Sequence, residues 1–92
     1  MSEQTEAGRR FAVNVTHQLV TTIERLFWEE DAHAHDGDLM QHLYFFIKDK
    51  SDPYHIEFRR SSLDDCADPR NREERDRVEQ YIRQQVEALF GS

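Results

Sequence analysis

The stretch LMQHLYFFIKDKSDPYHIEFRR, residues 39–60, limits the fold more than any other part of the chain. Two runs of alternating character flank a polar segment, and a period of two belongs to strands. In the first run Leu43, Phe45 and Ile47 fall on one side, and His42, Tyr44, Phe46 and Lys48 on the other. In the second, Tyr54, Ile56 and Phe58 oppose His55, Glu57 and Arg59. KDKSDP between them reads as a turn, because Asp52-Pro53 restricts the backbone. Strands are therefore expected over 41–48 and 54–60, paired as an antiparallel hairpin. Its apolar sets align when paired residue numbers sum to an odd value, for example with Ile47 beside Tyr54.

The flanking segments read as helices. Phe11, Val15, Leu19, Ile23, Leu26 and Phe27 are spaced to form one helical face, which predicts a helix over 8–31 ending at the acidic run Glu29–Asp31. A competing strand signal lies at 10–16, where Phe11, Val13 and Val15 alternate. Residues 1–7 are polar and are expected to be disordered. Residues 32–40 form a loop around Gly37, and 61–68 a connector with a helical turn begun by Ser62. Asp68-Pro69 resembles a helix start, so a last helix is expected over 69–90, closed by Gly91. Its buried stripe would be Val78, Tyr81, Ile82, Val86, Leu89 and Phe90, with Glu73–Arg77 and Glu79–Arg83 as i,i+4 pairs.

The expected architecture is α+β, a small single domain in the order helix–strand–strand–helix, with the hairpin packed against two helices. Ninety-two residues, of which 34% are charged and 37% hydrophobic, leave a modest core. An isolated hairpin is weak and exposes unpaired edges, so dimerisation into a four-stranded sheet is the expected remedy.

Charge and cysteine content narrow the function classes. A net charge of −7 disfavours direct nucleic-acid binding and attraction to anionic membranes. No apolar run is long enough to span a bilayer, and the start does not resemble a signal peptide. The single Cys66 excludes an internal disulfide and suits a reducing cytoplasm. Its neighbours Asp64, Asp65 and Asp68 should raise its pKa and make it a poor nucleophile. There is no G-x-S-x-G and no phosphate-cradling glycine loop.

Two places carry chemistry. DAHAHDGD, residues 31–38, offers Asp31, His33, His35, Asp36 and Asp38, with His42 following, all of them ligand types for zinc and related metals. The text departs from the H-x-H-x-D-H of metallo-β-lactamase-like hydrolases, with Gly37 where Asp belongs and Asp38 where His belongs. A solvated acidic loop with two exposed histidines accounts for it better, so no metal or cofactor is expected, with His33, His35, Asp36 and Asp38 as the alternative. The second place is the polar-side face of the hairpin, where Tyr44 and Phe46 lie with Glu57 and Arg59. A solvated face has no need of two aromatics, whereas aromatics and Arg are enriched at interface centres. Cover by a helix edge or by the N-terminal segment is the structural alternative. Acidic runs suggest phosphate mimicry less well, because Arg59, Arg60 and the arginines of the last helix interrupt them. The sequence thus points to a small acidic, non-enzymatic binding or regulatory module that contacts another protein, with Tyr44, Phe46, Glu57 and Arg59 as partner-binding residues. A metal-dependent protein using loop 31–42 is the alternative.

Overall fold

A computed structural model describes residues 2–34 and 37–91. The elements are helix α1 (Glu3–Leu19), strands β1 (Ile23–Glu30), β2 (Met40–Ile47) and β3 (Tyr54–Arg59), helix α2 (Arg60–Cys66) and helix α3 (Arg72–Phe90). The strands form an antiparallel sheet in the order β1-β2-β3, with β2 in the centre. The fold is α+β, and its order is α-β-β-β-α-α in place of helix–strand–strand–helix.

The largest correction concerns residues 8–31. The helix there stops at Leu19, and the rest is a strand. Val20, Thr21, Thr22 and Ile23 are all β-branched, a run that loses side-chain freedom in a helix and fits a pleated surface. The register explains the misleading spacing. Ile23 pairs with Ile47 but Arg25 pairs with Phe46, so β1 carries one extra residue there. This bulge puts Ile23 and Leu26, three apart, on the same face of the strand, and three is also a helical spacing. Residues 10–16 are helical, as read.

The chain start is ordered from residue 2. Ser2 caps α1 by accepting a hydrogen bond from the Thr5 amide at 3.1 Å, and Glu3 and Glu6 lie in the first turn, where the helix dipole favours acids. Thr5 is fully buried and donates to Asp64 Oδ1 at 2.5 Å, tying this first turn to α2. Gly8 is where the two helices meet, since a Cβ there would lie 1.9 Å from the Leu63 carbonyl oxygen.

Two other boundaries moved. Asp68-Pro69 starts a turn: the Asp68 side chain accepts from the Arg70 amide at 2.9 Å, and its carbonyl from the Asn71 amide at 3.0 Å. An Asp followed by Pro serves a turn as well as a helix start, and α3 begins only at Arg72. In the hairpin the odd-sum rule holds, but Phe45 faces Tyr54, two residues from the Ile47 pairing. The longer connection closes with Asp49 at φ 67, a conformation that Asp tolerates better than most residues.

The three helices cover one face of the sheet. Leu43, Phe45, Ile47, Ile56 and Phe58 from the strands pack with Ala12 and Val15 of α1, Leu63 and Cys66 of α2, and Val78 and Ile82 of α3. Leu26 and Trp28 of β1 join them. Gln41 is the buried polar residue of this face: it accepts from Arg9, which lies over the Trp28 ring at 4.9 Å, and donates to Glu30 at 2.7 Å. Partial burial lowers the Arg9 pKa through desolvation, and Glu30 and Glu6 oppose that shift.

Helix α2 is seven residues long and is held at both ends from outside. Asp38 accepts from the Ser61 amide and hydroxyl at 3.3 and 2.6 Å, while Arg75 donates to the carbonyls of Cys66 and Ala67 at 2.9 and 3.3 Å. Arg75 also lies 4.4 Å over Phe11. The polar first half of the last helix therefore includes a structural clamp. The Glu73–Arg77 and Glu79–Arg83 pairs are present at 2.9 and 3.5 Å. Cys66 is buried, and burial, more than the neighbouring carboxylates, pushes its thiol up to about 11, with Arg75 pulling the other way. No helix among the described residues is long and apolar enough to cross a membrane.

Candidate functional site

Among the described residues, the other face of the sheet carries no helix. The strand alternation delivers to it Arg25, Phe27 and Glu29 from β1, Met40, His42, Tyr44 and Phe46 from β2, and His55, Glu57 and Arg59 from β3. Its aromatic rings cover one another. Phe27 stacks on Tyr44 with centroids 5.1 Å apart, and Tyr44 stacks on His55 at 4.7 Å. Phe46 sits beside Phe27 at 6.2 Å and beneath the Arg25 guanidinium at 4.3 Å. Phe27 is nevertheless 42% exposed.

At the end of this face nearest Met40, the register brings three donors together. His42 lies directly opposite Glu57, and His55 is two residues before Glu57 on the same side of β3. His42 Nδ1 is 2.7 Å from His55 Nε2 and 3.9 Å from Glu57 Oε2. The other nitrogen of His42, Nε2, is 2.7 Å from Asp31 Oδ1, just beyond the end of β1. One donor atom from each of His42, His55 and Glu57 lies within 4.8 Å of the other two. Burial, and after it the adjacent His42, lower the His55 pKa, with Glu57 and Glu29 opposing.

No protein family, curated protein or solved structure matches this chain.

The residues singled out in the sequence fall as follows. Tyr44, Phe46, Glu57 and Arg59 share the open face, with Arg59 opposite Met40. The expected covering helix edge is absent there among the described residues, and the neighbour of Tyr44 and Phe46 is instead the unforeseen strand β1. The loop donors separate. His33 is exposed, and Asp38 is engaged with Ser61. His35 and Asp36 lie outside the described residues. From the 31–42 segment it is Asp31 and His42 that enter the cluster, joined by His55 and Glu57 from β3. Asp31 and His42 belong to the sequence-level donor set, but His55 and Glu57 do not, because their proximity to His42 depends on the register of β2 and β3. A diagnostic signal was present: His42 and His55 alternate in phase with Tyr44 and Glu57, which placed all four on one face.

Proposed function

We propose that this chain is a small, non-enzymatic binding or regulatory module that acts through protein–protein contact, with the open sheet face as its contact surface. The observation that supports this most is the exposed Phe27 within the stacked row Phe27–Tyr44–His55, on a face that no helix covers among the described residues. Rigid aromatics flanked by Arg25 and Arg59 supply the kind of anchor that carries binding energy at interface centres. The partner we propose presents an apolar patch with a basic rim. A net charge of −7, with Asp31, Glu29 and Glu57 gathered at one end of the face, complements such a surface and speeds encounter with it. A second copy of the chain is a weaker occupant, because the third strand already supplies what a lone hairpin lacks. A reducing cytoplasm suits the buried free thiol.

The test is selective capture from native cell extract with three baits: the parent chain, Tyr44→Ala with Arg59→Ala, and Gln84→Ala on the exposed side of α3 as control. A basic partner that is held by parent and control, and lost from the double variant at unchanged folding, is the expected result. Binding that ignores the double substitution would sink the assignment. Light scattering at twice the 11.0 kDa mass, reverting with the same substitutions, would place a second copy on this face instead.

A further inference from the structure

We infer that His42, His55 and Glu57 form a binding site for a divalent metal ion of the zinc class, with Asp31 as the residue that orients His42. The site shares His55 and Glu57 with the proposed contact surface, but its test reads metal uptake alone and needs no partner.

The donors are set by strand register and not by a loop. His42 projects from the central strand, and His55 and Glu57 from its neighbour, so the backbone hydrogen bonds of the sheet fix their spacing. Asp31 does the next part. A carboxylate oxygen 2.7 Å from His42 Nε2 accepts that N–H, which leaves the lone pair on Nδ1, the atom aimed at His55 and Glu57. A metal-bound histidine commonly donates its other ring N–H to a carboxylate, which fixes the tautomer and raises the ligand's basicity. That outer partner is already in place. Two neutral imidazole nitrogens and one carboxylate oxygen form a donor set suited to zinc and its neighbours, and poorly suited to magnesium or calcium.

The distances are close to what such an ion needs. Tetrahedral bonds of about 2.0–2.1 Å separate adjacent donors by roughly 3.3 Å. The His42–His55 pair at 2.7 Å must open slightly and the His42–Glu57 pair at 3.9 Å must close, each by well under an ångström. Small χ rotations achieve both, most easily in Glu57, which is exposed. Three protein donors leave a coordination position facing solvent, open to water or to a side chain of a partner. The acidic surroundings of Asp31, Glu29 and Glu57 favour the incoming cation. Without metal, the same atoms form a hydrogen-bonded chain from Asp31 through His42 to His55, and the test must separate these two arrangements.

Protein purified without a His tag is titrated with Zn²⁺ against a chromophoric chelator, and its melting is followed with and without the ion. One equivalent bound, with a rise in melting temperature, is the expected result. Glu57→Gln and His55→Gln should abolish the rise and weaken binding at least about a hundredfold. Asp31→Asn should weaken it about tenfold to a hundredfold, as the loss of an orienting partner does. Glu57 is exposed, so its variant keeps the test decisive if a histidine variant folds poorly. His33→Gln with His35→Gln should change nothing. Uptake that survives Glu57→Gln and His55→Gln, or that vanishes with the loop pair, would overturn the assignment. So would the absence of any one-equivalent binding step, which would leave the cluster as a hydrogen-bonded chain.

Discussion

Strand β2 shows its two faces within eight residues. Gln41, Leu43, Phe45 and Ile47 are buried under the helices, while Met40, His42, Tyr44 and Phe46 alternate with them on the open side. Both sides are rich in apolar carbon, so hydrophobicity alone does not say which is covered. Shape and polar reach do. The covered side uses branched aliphatics and one ring that fill the space between helices. The open side uses flat rings with polar atoms or neighbouring cations, and these rings stack on one another in place of a helix. A sheet surface built this way leaves a preorganised apolar row exposed.

Substitutions can break that contrast. Phe45→Ala should cost the most, about 3–5 kcal/mol in urea unfolding, because a fully buried ring leaves a cavity beneath three helices. A loss below about 1 kcal/mol would mean that the helical side is not the core. Gly8→Ala should follow at about 1–3 kcal/mol, since the added methyl meets the Leu63 backbone and α1 must move off α2. A melting temperature equal to the parent's would show that the two helices tolerate separation. Tyr44→Ala removes two ring stacks on the open side and should cost about 1 kcal/mol, with its larger consequence in partner binding. Equal losses for Tyr44→Ala and Phe45→Ala would erase the distinction between the faces.

The smallest effect lies at alkaline pH. The folded chain holds the Cys66 thiol proton more tightly than the ordinary value of 9.0, up to about 11. Its contribution is therefore complete below pH 9 and is lost as pH rises toward 11. A decline of about 1 kcal/mol by pH 10 is expected, and Cys66→Ala should flatten part of it. Tyr81 is also raised, chiefly by burial, and adds to the decline in the same direction at higher pH. Stability that is unchanged between pH 8 and 10 would show that the thiol is not enclosed as described.

The sequence disclosed β2, β3 and the facing of their side chains, because strict alternation survives without knowledge of neighbours. It concealed β1 for a specific reason: the bulge between Ile23 and Arg25 reproduces a helical interval inside a strand. The β-branched run Val20–Ile23 was the local clue against a continuous helix. The order at residues 2–7 was hidden for another reason, since Thr5 is buried by Asp64, distant in the chain. The candidate site followed the same pattern. Tyr44, Phe46, Glu57 and Arg59 were placed together from alternation, whereas Asp31, His42 and His55 needed three strands in register before they met.

Helix α2 has a consequence for cooperativity. Seven residues cannot sustain a helix in water on their own. Its ends are secured by Asp38 and Arg75, and its side by Thr5 and Gly8, so it draws on the β1–β2 connection, on α3 and on α1. Arg75 comes from the next helix, but Thr5, Gly8 and Asp38 are distant in the chain, so α2 persists only while these parts are assembled. Its amide protons should therefore exchange with solvent through global opening and not through local fraying, despite its length and its place near the surface. The shortest helix of the molecule then serves as a reporter of whether the whole of it is folded.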